Sequence, residues 1–395
     1  MLVMCYEIRI GEFTLKGIDS VSVESSIDLL SDQCVIILPG SAYNQALLIE
    51  DKIKRGDKVT VKLGYNNDLK TEFTGYLRTI SADSPMRLEC EDGAFLFRKP
   101  VKDRRFKKVT AITVLRYVVS QVNAQLPKEQ RFRFVTNISG LQYKEFTLLG
   151  ANGLQALEKI KEDMHINIYC RTSSEGINEL HCHMLYSEKR GEVKYDFSRN
   201  IEDSDNLKYV RKEDVKLRVV VEGRTKKKQI KAEVGEKGAN TFTLKRPGIS
   251  TFKTLSLIAK QTLLARSYDG YQGAIRGWLI PFVQIGCSAK IVDTEYKERE
   301  GSYFVNGVKT SFSREGGVRT VALGIKVGGV SAKVNALPDQ LPVAPGSHID
   351  GWSPLPTQTY SPEVMPNIEL EQWDQSDDDD EPDYDELGHV IGTIA

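Results

Sequence analysis

The densest cluster of potential metal ligands in the sequence is His181-Cys182-His183. On a β-strand, residues two apart project from one face, so His181 and His183 could share a zinc ion if a third ligand such as His165 joined them. Leu180, Cys182 and Met184 would form the opposite, apolar face, and two ordinary surface histidines explain the pattern equally well. No second ligand pair stands at metal spacing, so neither a metal nor any other cofactor is expected. Catalytic signatures are missing too: there is no G-x-S-x-G elbow, no G-x-x-x-x-G-K-[ST] phosphate loop and no H-E-x-x-H. Glu89, Glu91 and Asp92 gather carboxylates ahead of Gly93. A glycosidase needs two of them fixed across a cleft, whereas a charged strand face needs nothing more. Enzyme chemistry is not expected.

Two runs are basic. Residues 102–108 and 224–231 hold five Lys or Arg each, with only Phe106 interleaved. Nucleic-acid recognition needs such charge on one face with stacking aromatics or a known motif, so solvated turns are the default reading. The sharper alternative is a lining for a channel that carries DNA. Carbohydrate binding would need exposed aromatics around a cleft; Tyr65, Tyr76 and Tyr303 are candidates, but their alternation suits packing. The cysteines (Cys5, Cys34, Cys90, Cys170, Cys182, Cys287) stand singly, mostly in strand-like runs, and read as reduced thiols.

The elements that would position these residues are mainly strands. Val59, Val61 and Leu63 alternate with Lys58, Thr60 and Lys62; Asn66-Asn67-Asp68 supplies a turn, and residues 72–80 return as the second strand of a hairpin. Further strands are expected at 6–15, 18–25, 33–38 and 86–90. Near Pro100 the composition changes. Ile112, Leu115, Val119 and Val122 follow helical spacing behind Thr110, and Asn152 with Gln155 caps a helix carrying Leu154, Leu157, Ile160 and Met164. Strands at 166–171 and 179–186 flank that helix. From about Tyr195 alternation resumes at 215–221 and 230–234, a helix is expected at 251–265, and a hairpin joins 288–294 to 302–310. The two hairpins are alike: Gly56 and Gly286 open their first strands, Gly75 and Gly307 lie in their return strands, and the separations differ by two residues. The fold class is therefore mainly β with an α+β insert. It has two similar small barrels, over 1–100 and 196–330, with an α+β domain at 101–195 between them and a helical insertion near 251–265 in the second.

At 395 residues the chain exceeds one core. No apolar run approaches the length of a membrane span and no secretion signal opens the sequence, so assembly in a bacterial cytoplasm is expected. The net charge of zero hides an asymmetry: residues 328–395 contain 14 Asp or Glu against one Lys, leaving 53 basic and 40 acidic residues before them. Eight of the 14 prolines also fall there. Proline and clustered charge prevent a separate core, so 331–395 reads as a Pro-rich acidic tail, flexible or ordered by a partner. Its candidate docking residues are Trp352, Trp373, Asp377, Asp378, Asp379, Asp380, Ile391 and Ile394.

One stretch carries a resemblance. Gly277-Trp278-Leu279-Ile280-Pro281, Gly286, Gly301-Ser302-Tyr303-Phe304-Val305-Asn306-Gly307-Val308 and the hairpin around Gly316-Gly317 resemble the C-terminal barrel of phage late-control and baseplate hub proteins. That family shares its fold with the base of the valine-glycine-repeat spike proteins of type VI secretion. Val21-Ser22-Val23, Arg55-Gly56-Asp57 and Phe73-Thr74-Gly75-Tyr76-Leu77 match it in style, so the resemblance spans about Met1 to Val327. It implies turn glycines at Gly56, Gly75, Gly286, Gly301, Gly307, Gly316 and Gly317. It also implies a homotrimeric baseplate hub whose two barrels per chain form a pseudo-six-fold ring between tail tube and spike. Tube, spike and wedge proteins would be its partners, DNA could cross the lumen without specific binding, and no stable membrane insertion is implied. The puncturing device is expected to be another chain. Two rival readings are a carbohydrate-binding or adhesin-type tail protein and a tail-associated peptidoglycan hydrolase.

Overall fold

Alternation in the first hundred residues resolves into seven strands: β1 (Met4–Ile10), β2 (Phe13–Thr14), β3 (Ser20–Ser26), β4 (Gln33–Ile37), β5 (Lys58–Tyr65), β6 (Asp68–Ser81) and β7 (Arg87–Glu91). The structure is a computed structural model. It describes residues 2–327 except 41–48, 82–84, 139, 174–175, 184–189, 203–205, 212–213, 215, 225–228, 237, 247–248, 250 and 268. The tail candidates from Trp352 to Ile394 lie outside the described residues. The β5–β6 turn follows from its sequence. Asn66 and Asn67 take φ of 52° and 66°, the left-handed pair of a two-residue hairpin turn whose twist matches the strands. Inward positions Val59, Val61 and Leu63 join Ile8, Ile10, Val21, Val23 and Leu88 in one core.

The centre holds β8 (Arg104–Thr110), α1 (Ala111–Asn123), β9 (Phe132–Thr136), β10 (Gln142–Leu148), α2 (Gly153–Met164), β11 (Asn167–Thr172) and β12 (Asn178–His183). Thr110 caps α1, accepting from the Thr113 amide. At α2 the Asn152 and Gln155 side chains satisfy each other's backbone amides, a reciprocal capping box. In β8 the buried residues Phe106 and Val109 are three apart, because Lys108 at φ 47° adds a kink that returns Val109 to the inner face.

The remaining chain forms β13 (Gly191–Asp196), β14 (Leu207–Val210), β15 (Leu217–Arg224), β16 (Gln229–Gly235), β17 (Asn240–Arg246), α3 (Phe252–Arg266), β18 (Gly270–Trp278), β19 (Cys287–Val292), β20 (Gly301–Ser313) and β21 (Gly316–Lys326). Residues 196–330 comprise two sets of elements. β15, β16 and β17 make a sheet of their own, and with α3 they bury Val219, Val221, Leu255 and Ile258 in the same core as Leu115, Leu157 and Ile160 of α1 and α2. The other strands enclose a third core around Ile275, Ile291, Tyr303, Val305 and Val321. The fold is thus mainly β with an α+β insert. The first and last sets of strands belong to one 13-stranded sheet in the order β14-β18-β21-β20-β3-β4-β7-β6-β5-β1-β2, with β19 on β20 and β13 on β19. Among the described residues no strand pair closes either half on itself.

Candidate assembly site at the seam of the two halves

The two halves repeat one plan. Taken in chain order, β1, β3, β4, β5, β6 and β7 correspond to β13, β14, β18, β19, β20 and β21, and the lateral order β3-β4-β7-β6-β5-β1 reappears as β14-β18-β21-β20-β19-β13. One direction differs: β1 runs antiparallel to β5, whereas β13 runs parallel to β19. Gly56 and Gly286, just before β5 and β19, have φ of 93° and 90°, a region that side chains beyond glycine rarely enter. A bulge also recurs. The β6–β7 register slips between Leu77 and Thr79 opposite Cys90 and Glu89; the β20–β21 register slips between Val305 and Gly307 opposite Leu323 and Ala322. Arg78 and Asn306 are the extra residues. This register corrects the matching of Gly75 with Gly307. Because the β19–β20 connection is two residues shorter, Thr79 is the counterpart of Gly307, and Tyr303 that of Gly75. Gly75 answers to a different need, since a Cβ there would overlap the Glu91 carbonyl oxygen.

The halves meet where β3 pairs with β20, from Gly307 opposite Ser26 to Ser313 opposite Ser20. Beside that junction Arg319 of β21, 2% exposed, pairs with Glu72 of β6. Its guanidinium also donates to the carbonyls of Leu279 and Pro281, on either side of Ile280. Thr310 of β20 donates to Glu72 at 3.2 Å. Burial pushes the Glu72 carboxyl above its ordinary value, against the pull of Arg319. Tyr65 donates to the Gly317 carbonyl at 3.4 Å and Gln284 to the Thr71 carbonyl at 3.2 Å. Leu279 and Phe312, though late in the chain, complete the first core. Among the turn glycines, Gly301 opens β20 and Gly316-Gly317 open β21, where Gly317 leaves room for the Leu279 side chain.

A second joint ties the first half to the centre. Glu91, 3% exposed, lies between two guanidinium groups, Arg78 at 2.7 Å and Arg98 at 2.6 Å. Burial alone would raise its carboxyl, but those bonds outweigh it and hold it below the usual range. Asp92 accepts from the Ser31 hydroxyl at 2.9 Å and the Ala94 amide at 3.0 Å. Burial, with the neighbouring Asp32 charge, pushes Asp92 up to about 8, and burial pushes Asp32 up to about 6. Lys161 of α2 donates to the carbonyls of Ile27 at 2.8 Å and Leu29 at 2.9 Å, and burial lowers it to about 8.

The remaining candidates are scattered over the fold. His181 and His183 do share a face of β12, with ring nitrogens 3.3 Å apart. The same face supplies Glu179, 2.8 Å from His181, and Glu179 is paired in turn with Arg133. Among the described residues no group of three His, Cys, Asp or Glu could hold a metal. His165 ends α2 in the left-handed conformation, and burial, with Arg246 and Arg266 nearby, lowers its pKa. The basic runs lie on different sheets. Arg104 stacks on Phe106 and Tyr117 at 4.9 Å each, while Lys231 pairs with Glu222 and residues 225–228 lie outside the described residues. Tyr76 is buried against Phe95, and fully buried Tyr303 accepts from the Tyr271 amide, so neither offers a platform to a sugar. All six cysteines are free. Reasoning from sequence missed Arg319, Glu72 and Lys161. For Arg319 a signal existed: it stands in the inward phase of Gly317, Val321 and Leu323, where a charge demands a buried partner.

No family model matches the sequence, and no curated protein matches it. The fold is similar to that of a tail protein from Neisseria meningitidis, at 16% identity and a TM-score of 0.56, over 83% of this chain and 98% of that one. It is similar to the 43 kDa tail protein of prophage MuSo2 from Shewanella oneidensis, at 13% identity and a TM-score of 0.53, over 81% of this chain and 98% of that one. It is also similar to an Escherichia coli component of the type VI secretion system, at 10% identity and a TM-score of 0.54, over 82% of this chain and 77% of that one. The fold of this chain is therefore that of these tail proteins and of this secretion component, in keeping with the resemblance to baseplate hub proteins.

Proposed function

We propose that the chain is the structural baseplate hub of a contractile phage tail or a related injection particle. Three copies, each with two equivalent halves, make a ring of six similar units. Such a ring meets a six-fold tail tube on one side and a three-fold spike on the other. The observation that carries this reading is the repeated plan: the same strand order, the same glycine conformation before β5 and β19, and the same bulge at Arg78 and Asn306. Quasi-equivalent units in a closed ring are a normal product of heterologous contacts. The seam supports the reading, because the Arg319–Glu72 ion pair and the β3–β20 pairing tie the two halves to each other. The turn glycines shape the hairpins, the acidic tail from 331 with Trp352 and Trp373 docks a neighbouring spike or wedge protein, and DNA crosses the lumen without specific contacts. The ring-forming parts are the strands of residues 1–100 and, in the second half, β13, β14 and β18 to β21; the central elements, joined by β15, β16, β17 and α3, are the brace. Light scattering on the purified full chain, followed by images of the particle down its axis, tests the proposal. A trimeric mass with six similar lobes is expected; a monomer, or a ring without the six-fold repeat, sinks it.

A further inference from the structure

The seam inside one chain has an unfilled counterpart. Over residues 307–313, β20 is paired on both edges, with β21 on one and β3 on the other. Its equivalent β6 pairs with β5 up to Tyr76 and with β7 over 76–81, and among the described residues no strand lies on the other edge of 79–81. β14, the equivalent of β3, pairs with β18, and its second edge likewise meets no strand among the described residues. Exposure follows the same division. Gly307 and Val308, flanked by β3, are buried, whereas Thr79 is exposed and Ile80 half-buried; Val23 of β3 is buried, whereas its equivalent Leu207 of β14 is half-buried.

We propose that β14 of one copy pairs with β6 of a second copy as β3 pairs with β20 within the chain. This rests on the ring reading and names the contact that would build it. Val308 and Ile80 are matched through their partners Val321 and Leu88, and Val23 and Leu207 through Gln33's neighbour Cys34 and Gly273. Carrying over the observed pairs of Gly307 with Ser26, Val308 with Ser25 and Lys309 with Glu24 fixes the contact. Thr79 lies opposite Val210 of the second copy, Ile80 opposite Tyr209 and Ser81 opposite Lys208, antiparallel. Backbone hydrogen bonds supply the attraction, as in any strand addition to an open edge, and the Ile80–Tyr209 pair supplies a cross-strand apolar contact. β14 is only four residues long and carries Lys208, features that keep a lone edge from pairing indiscriminately. A second copy is the occupant because both complementary edges belong to this chain and their docked form is already present at its own seam.

The test is a cysteine pair in the full chain. Ile80→Cys with Tyr209→Cys, oxidised by diamide and run under denaturing non-reducing conditions, is expected to shift the monomer band to covalent multimers. Each single variant and the unmodified chain, with its six native thiols, should stay at background. Ile80→Cys with Val210→Cys, which places the second thiol on the opposite face, should stay there too. Equal cross-linking in that control overturns the inference. So does an absence of cross-links in a chain that light scattering finds multimeric, and that outcome leaves the ring reading standing. A monomeric chain overturns both. If the double variant loses its melting transition, hydrogen exchange on the unmodified protein decides: amides 79–81 and 208–210 should slow together as concentration drives assembly, and unchanged exchange there overturns the pairing.

Discussion

At the level of single residues, the seam depends on an ion pair without solvent. Arg319 occupies the place that Met86 holds in the first half, so the same backbone accepts an apolar side chain there. Arg319→Met alone strands the Glu72 carboxylate and should remove about 3–5 kcal/mol of stability in denaturant titration. Arg319→Met with Glu72→Leu should recover part of it, because it removes the stranded carboxylate but leaves the Leu279 and Pro281 carbonyls without their donor. The Asp32–Asp92 pair makes stability depend on pH. Both carboxyls are raised above their unfolded values, so the native state keeps protons that the unfolded chain has released. Their contribution is complete below about pH 4 and is lost as pH climbs through about 6 and then about 8. Lys161, lowered to about 8, acts in the opposite sense and only above that value. The melting temperature of Asp92→Asn should therefore fall less between pH 5 and 8 than that of the unmodified chain. Equal slopes would mean that Asp92 holds no extra proton in the native state over this range.

At the level of elements, Gly56 and Gly286 provide a matched experiment. Both adopt φ near 90°, where an alanine is strained by about 1–3 kcal/mol, and the Gly56 site has no atom closer than Phe95 at 4.0 Å. Gly56→Ala and Gly286→Ala should lower stability by similar amounts, and a large loss in one alone would argue against equivalent roles. The individual elements were legible because their signals are local. The Asn66-Asn67 turn, the Thr110 cap and the Asn152–Gln155 box each fix a few neighbouring dihedrals, and each falls where the sequence places it. Pairing across the chain was not legible. The Val219 and Val221 alternation marks a strand correctly, but nothing in it says that β15 joins the central core and not the large sheet. The recurring bulge was hidden for the same reason, since Arg78 and Asn306 share no side-chain chemistry and only the hydrogen-bond register reveals them. Matching glycines by spacing aligned Gly75 with Gly307, and the two-residue difference in connection length defeated it. At the candidate site, Arg319 was readable as a misfit in an apolar phase, whereas Lys161, bonded to carbonyls more than 130 residues away, was not.

At the level of the whole molecule, the three cores formed among the described residues draw their buried side chains from between Ile8 and Leu323. Deleting residues 331–395 should therefore leave the melting curve unchanged while impairing attachment to a neighbouring protein; loss of the folded strands on truncation would contradict that. The fusion of the halves also governs how the molecule carries a load. The β3–β20 pairing crosses the middle of a continuous sheet, and its seven opposed positions lie side by side along the strand direction. A pull parallel to those strands loads all the bonds in shear at once, and none can yield before the others. A pull across them peels them one after another. The direction of these two strands is therefore the one along which this seam best resists a pull.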